Sequence, residues 1–153
     1  MSSKKFNLGI LGFGGIGEQH YLNFREFSRD ISVGAVCDQN EKRLGKAQYD
    51  FQIPYQTQSV EEFFNLPLQA VVIATPNVTH YPLVKRALLQ GWHVLCEKPF
   101  TMEAWQAEEL HHLAESRGLV NMVAFSYRFI PAAKMLRELL QKGQAGTIYH
   151  VRC

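Results

Sequence analysis

Apolar runs of strand length alternate with segments of helical period along nearly the whole chain. "KKFNLGILG" (4–12), "ISVGAVCD" (31–38), "QAVVIATP" (69–76), "WHVLCE" (92–97) and "LVNMVAFSY" (119–127) read as strands, and "IPYQTQS" (53–59) as a short extended segment. "QAVVIATP" is almost wholly apolar, the pattern of a strand covered on both faces of a parallel sheet. The segments between them predict helices. In "GIGEQHYLNFREFSR" (15–29), Ile16, Leu22 and Phe27 are among the apolar positions, and "NEKRLGKAQYDF" (40–51) and "VEEFFN" (60–65) follow. "YPLVKRALLQ" (81–90) sets Leu83, Val84, Ala87 and Leu88 on one face, with Gly91 suited to the C-terminal cap. "TMEAWQAEELHHLAESRG" (101–118) predicts a helix with Thr101 as N-cap and Gly118 at its close, and "PAAKMLRELLQKG" (131–143) one with Ala132, Met135, Leu136, Leu139 and Leu140 in register.

Repeated β-α alternation with short connections predicts an α/β fold, a doubly wound (Rossmann) parallel sheet with helices on both faces. "GTIYHVRC" (146–153) begins like a further strand, with Tyr149, Val151 and Cys153 on one face. A lone terminal strand is poorly stabilised. The expectation is therefore a first domain over 1–145, with "QKGQAG" as a linker and 146–153 as the start of a second, truncated domain.

Composition narrows the function classes. The chain has 153 residues, 46% hydrophobic and 20% charged, the profile of a globular protein with a real core. A net charge of +2 without a basic stripe gives no argument for nucleic acid. No apolar run nears the length of a membrane span, and the N-terminus lacks the apolar core of a signal peptide. Of three cysteines, Cys37, Cys96 and Cys153, the first two end apolar runs and read as small buried hydrophobes in a reducing compartment. A cytoplasmic location is expected.

"GILGFGGIGEQH" contains Gly12-x-Gly14-x-x-Gly17 directly after the first predicted strand, at the opening of the first helix. Gly12 suits the sharp turn, Gly14 lets backbone approach a pyrophosphate, and Gly17 lets helix and sheet pack closely. The loop Gly12, Phe13, Gly14, Gly15, Ile16 and Gly17 thus becomes a candidate cofactor cradle, with the helix N-terminus offering N–H groups to phosphate. Asp38 follows Gly17 by 21 residues, at the end of the second strand, where a carboxylate accepts the ribose hydroxyls of a dinucleotide. A carboxylate there repels a 2′-phosphate, so NAD is favoured over NADP, with NADP possible. Lys42 and Arg43 lie close enough to bear on that choice, but read more readily as the solvated start of the second helix.

Three later strand ends carry chemistry: "ATPNVTH" with Thr75, Pro76, Asn77 and His80; Glu97-Lys98-Pro99; and "SYRF" with Tyr127 and Arg128. Each has a plain reading, as a helix cap, a satisfied surface histidine or a solvated base. Taken together, "GFGGIG…CD…ATPNVTH…GWHVLCEKPF…SYRF" resembles the glucose–fructose oxidoreductase/inositol dehydrogenase family, often written Gfo/Idh/MocA, over essentially the whole chain.

The resemblance implies an NAD(P)-dependent oxidoreductase acting on a sugar, cyclitol or related polyol. It implies an N-terminal dinucleotide-binding domain, and a C-terminal α+β domain that supplies a catalytic His and Asp and most subunit contacts of a homo-oligomer. None of the six histidines here matches that catalytic motif, and the chain alone is expected to be inactive. By the resemblance, Lys98 lies beside nicotinamide and substrate, Glu97 orients or partly neutralises it, and Pro99 fixes the turn with a cis Lys98–Pro99 bond as an option. Arg128 faces the substrate side, and Thr75, Pro76, Asn77 and His80 run along the cofactor with Glu97 and Lys98.

An ammonium at Lys98 can hydrogen-bond a substrate hydroxyl and stabilise the charge left as its proton departs. A non-catalytic dinucleotide-binding module or redox sensor is the alternative, but such a module has no need of Glu-Lys-Pro. Glu108, His111, His112 and Glu115 share one helical face and read as a solvated face rather than a metal site. Hydride transfer needs no metal.

Overall fold

The first and fourth strands lie side by side although three helices and two strands separate them in sequence. That crossover defines the molecule. The computed structural model describes residues 5–150 and 152. Six strands, β1 (Phe6–Leu11), β2 (Ile31–Cys37), β3 (Tyr55–Thr57), β4 (Ala70–Ile73), β5 (His93–Cys96) and β6 (Asn121–Val123), form one sheet in the order β3-β2-β1-β4-β5-β6. Every pairing is parallel. The helices are α1 (Gly15–Phe27), α2 (Glu41–Tyr49), α3 (Val60–Phe64), α4 (His80–Leu89), α5 (Ala104–Ser116) and α6 (Pro131–Gln141), with 3-10 turns at Asn77–Thr79 and Ser126–Phe129. The predicted doubly wound Rossmann sheet is the fold observed. Its strand order reverses between β1 and β4, which opens a crevice at their carboxyl ends.

Alternate strand residues feed two cores. Leu11, Ala35, Cys37, Val71 and Ile73 point to the side covered by α3, α4 and α5, against Phe63, Phe64, Val84, Leu88 and Leu110. Leu8, Ile10, Val36, Ala70 and Val72 point to the other, against Phe13, Tyr21 and Ala47. Two-sided burial explains why these strands read as continuous apolar runs rather than alternating ones. On the second side the cover ends at β5: Leu95 is only partly buried, and Met122, its partner on β6, is exposed.

Local patterning misassigned several positions. Ile16 and Phe27 are 56% and 78% exposed, while Gly17 and Tyr21 make the buried stripe of α1. The N-cap of α5 is Glu103, not Thr101: Glu103 and Gln106 form a reciprocal capping box. The sixth strand is only three residues long, and "SYRF" is a 3-10 turn. Helix α6 has no buried residue, so Met135, Leu136 and Leu140 line an exposed apolar stripe. Residues 146–150 form no strand and are exposed, so the expected strand at 146–153 is absent from its described residues; Val151 and Cys153 lie outside them, as does Lys4 of the first predicted strand.

Candidate functional site

The glycine loop turns at Gly12, whose φ of +85° lies in the left-handed region that glycine adopts freely. Its N–H donates to the Cys37 carbonyl at 2.8 Å, and a Cβ there would meet the Ala74 carbonyl oxygen at 2.5 Å. At Gly17 a Cβ would lie 2.0 Å from the Gly12 oxygen, so the first turn of α1 is pressed onto the end of β1. Gly14 is the N-cap and supplies no side-chain partner to the helix N–H groups, which leaves them open toward an anion. Around Gly15 a Cβ would meet nothing within 4 Å, and at Gly14 its nearest neighbour would be the Arg43 guanidinium at 3.6 Å, an ordinary contact. The cradle is therefore built from backbone with room in front of it.

Phe13 and Ile16 take different parts from the one the motif suggests. The Phe13 ring is buried against Tyr21 and Phe51, so only its backbone faces the loop. That N–H is already committed, donating to Asp38 Oδ2 at 2.7 Å. Ile16 stands exposed on the first helical turn.

Asp38 is buried at the carboxyl end of β2. Its Oδ1 accepts the Asn40 N–H at 2.8 Å, and the Arg43 guanidinium lies 3.3 Å from Oδ2. Arg43 Nη1 also lies 3.5 Å from Oδ1, so each oxygen holds one backbone N–H and shares the guanidinium, and it is the Arg43 side that a further donor would take. Arg43 is not simply a solvated helix residue: it sits on the carboxylate, beside Gly14, in the wall of the cleft. Lys42 is exposed, as the sequence suggests.

A cavity of about 670 Å³ opens along this edge. Its polar wall includes Gly12, Gly14, Asp38, Arg43, Thr75 and Thr79, and its apolar wall includes Val60, Pro82 and Leu83. That volume falls within the usual range for small-molecule sites, about 300–1,000 Å³. An open glycine cradle beside an apolar slot and a buried carboxylate fits a dinucleotide. Cys37 also lines the cavity, and burial, followed by the charges of Asp38 and Glu62, pushes its thiol up to about 11. Burial, with the Glu97 charge second, pushes Cys96 to about 12.

The loop after β4 has two faces. Thr75 and Pro76 border the cavity, and the Thr75 and Thr79 hydroxyls lie 2.7 Å apart. Asn77 is exposed and caps nothing with its side chain. His80 is the correction here. Its ring is wholly buried, with Nδ1 2.8 Å from the Pro99 carbonyl and Nε2 2.9 Å from the Thr75 carbonyl. It braces two loops and does not border the cavity.

Glu97 extends β5 by one ladder bond, donating its N–H to the Ile73 carbonyl at 2.9 Å, and the chain then leaves the sheet through a cis Lys98–Pro99 bond. Lys98 is exposed. The Glu97 carboxylate does not reach toward the Lys98 ammonium. Oε1 accepts His20 Nε2–H at 2.9 Å, and Oε2 accepts the Lys98 backbone N–H at 3.2 Å. Arg128 lies exposed in the turn after β6, on the same edge of the sheet and one strand further out.

One participant escapes a reading by motif: His20. His20 follows Gly17 by three residues, which places both on the helix face turned to the sheet, and that spacing is the signal in the sequence. On α5, His111 and His112 share Glu115 at 3.4 and 3.9 Å, all three exposed.

Comparison with known proteins agrees with this geometry. A family model described as the Gfo/Idh/MocA oxidoreductase family, NAD-binding Rossmann fold, matches residues 6–125. D-glucoside 3-dehydrogenase of Escherichia coli (strain K12) is 32% identical over 97% of this chain and 43% of its own length. Inositol 2-dehydrogenase 4 of Saccharopolyspora erythraea is 30% identical over 100% of this chain and 46% of its own. A scyllo-inositol dehydrogenase from Lactobacillus casei, solved with bound NAD(H) and scyllo-inositol, superposes with a TM-score of 0.88 at 22% identity, over 95% of this chain and 43% of that one. The chain thus spans less than half the length of the curated relatives it matches. It belongs to the Gfo/Idh/MocA oxidoreductase family, and over residues 6–125 it is that family's NAD-binding Rossmann domain.

Proposed function

We propose that this chain is the dinucleotide-binding half of an NAD(P)-dependent dehydrogenase. The enzyme moves a hydride between nicotinamide and a hydroxyl or carbonyl carbon of a sugar, cyclitol or related polyol. One observation carries the reading. The exposed Lys98 follows β5 at the carboxyl edge, one strand from the β1–β4 crevice that the glycine loop opens. A module that only bound dinucleotide would need the cradle and Asp38 but no base at this position.

The residues divide the work. N–H groups of the first turn of α1 hold the pyrophosphate, and Gly14 and Gly15 leave it room. Asp38 accepts ribose hydroxyls in the place of the Arg43 guanidinium, which turns outward and stands ready for a 2′-phosphate. Thr75 and Pro76 line the path between the two ends of the cofactor. When bound, the cofactor supplies the hydride acceptor or donor. Lys98 hydrogen-bonds the substrate hydroxyl and stabilises the charge left as its proton departs to a base of the second domain, and Arg128 borders the substrate.

Residues 1–145 make the dinucleotide domain, and 146–153 start a second domain that carries the remaining catalytic groups and the contacts of a homo-oligomer. The apolar stripe on α6 and the one-sided cover at β5 and β6 support a further layer there. Two free buried thiols, Cys37 and Cys96, support a cytoplasmic setting. Among the described residues no helix is long and apolar enough to cross a membrane.

The test is turnover of the full-length protein with NAD and a panel of sugars and cyclitols. Lys98→Ala should lower kcat by roughly a hundredfold, the usual scale for an acid–base group, and leave dinucleotide affinity in place. Unchanged turnover would remove Lys98 from the chemistry.

A further inference from the structure

The turn that carries Lys98 receives little support from the sheet. The last ladder bonds of β5 end at Cys96 and Glu97, where the Cys96 carbonyl accepts the Ala124 N–H at 2.8 Å and the Glu97 N–H reaches the Ile73 carbonyl. Beyond that point two histidines from two different elements hold the backbone. His20, 77 residues earlier on α1, donates Nε2–H to Glu97 Oε1, and the same carboxylate accepts the Lys98 N–H. His80, at the start of α4, sets its ring between the Pro99 and Thr75 carbonyls, with Nδ1 2.8 Å from the first and Nε2 2.9 Å from the second. The side chains of His20 and Glu97 are 16% and 17% exposed, and His80 is 0% exposed. Each contact is thus largely shielded from competing water.

We propose that His20 and His80 are positioning residues for Lys98, fastening the residues before and after it to the pyrophosphate helix and to the cavity wall. A lysine stem has four rotatable bonds, so its reach is defined only if its backbone is fixed. An imidazole is a rigid spacer, and His80 places one between the Thr75 loop and Pro99. His20 sits two residues beyond the first turn of α1 that faces phosphate. The two ends of the dinucleotide site are thereby held at a set separation by side chains that touch neither cofactor nor substrate. The catalytic consequence rests on the reading of Lys98 given above; the positional claim does not.

The test begins with the 153-residue chain, using His20→Ala, His20→Gln and His80→Asn. Backbone amide resonances are read by NMR, beside melting curves and NADH titration. In His20→Ala the Lys98 amide resonance should move while those of Gly12 and Asp38 stay, with NADH affinity within about twofold. His20→Gln restores a donor toward Glu97 and should return the Lys98 resonance toward its original position.

In the full-length enzyme, His20→Ala should lower kcat by roughly ten- to a hundredfold at near-constant KM for dinucleotide, the scale of a misplaced group. Gln should recover most of that loss. An unmoved Lys98 resonance in both His20→Ala and His80→Asn overturns the proposal, as does a loss of kcat, affinity and melting midpoint in step. If the resonance moves but Lys98→Ala and the histidine variants all turn over normally, the positioning stands and the catalytic role of Lys98 falls.

Discussion

Asp38 Oδ2 accepts the Phe13 N–H at 2.7 Å, so the carboxylate proposed for the ribose also splints the glycine loop. Asp38→Ala removes both functions. It leaves the buried Phe13 N–H without an acceptor, which costs about 1–3 kcal/mol. Urea unfolding should show that loss in the absence of cofactor, and calorimetry should show NAD weakened more than NADP. Equal losses for the two dinucleotides would refute the ribose role, and unchanged stability would refute the splint.

Arg43 lies on the same carboxylate, half in solvent. Turning it outward costs little, and a 2′-phosphate would offer it a better partner. Arg43→Ala is expected to weaken NADP by roughly tenfold, the worth of one charge-assisted hydrogen bond, and to leave NAD nearly unchanged. Titration of both dinucleotides into the two proteins decides this.

Glycines of one motif should not behave alike. Gly17→Ala drives a Cβ to 2.0 Å from the Gly12 carbonyl oxygen and forces α1 off the sheet. A loss of about 1–3 kcal/mol, the overpacking scale, is expected, together with loss of NADH binding. Gly15→Ala meets nothing within 4 Å in the chain itself and should keep its unfolding midpoint. Denaturant curves beside NADH fluorescence titration separate the two.

Thiol titration gives the fold a pH limit. Burial, the first cause in each case, raises Cys37 from an ordinary 9.0 to about 11 and Cys96 to about 12. A raised folded value favours the protonated form, so the contribution is complete below about pH 9. It declines as pH climbs through the folded values, because the unfolded chain then releases protons first. Stability should fall between pH 9 and 11, less steeply in Cys37→Ala. Peptide mapping after iodoacetamide at pH 7.5 should find Cys37 and Cys96 unmodified in the native chain.

Calorimetry of this chain with NAD(H) up to millimolar concentration should give a binding isotherm. A flat trace would defeat the fingerprint reading of the glycine loop.

The strands were legible because burial on two faces writes long apolar runs, and Gly12, Gly17 and Asp38 because loop and strand end lie in one local frame. Helix faces were harder. Ile16 and Phe27 look like core residues by hydropathy, yet glycine at 17 occupies the contact with the sheet and turns Ile16 outward. Glu103 replaced Thr101 as cap because the reciprocal Gln106 contact outweighs a favourable residue type. The links His20–Glu97 and His80–Pro99 span 77 and 19 positions and depend on the strand order, which no local period encodes. Arg43 leaves two readings open in the sequence for a related reason: a helix start is solvated by default, and only the register of α2 beside β2 sets it on Asp38.

The buried His80 ring has a practical consequence for anyone mapping this protein by mutational scanning. Its loss could be scored as a change in ligand recognition, because one of the two loops it braces, that of Thr75, borders the cleft. An affinity-based screen would file it with the contact residues, and a redesign of cofactor preference guided by such a map would begin at the wrong place. Positions such as Arg43 and Thr75, which border the cleft directly, are the ones to vary, with His80 kept as the fixed frame against which they are tuned.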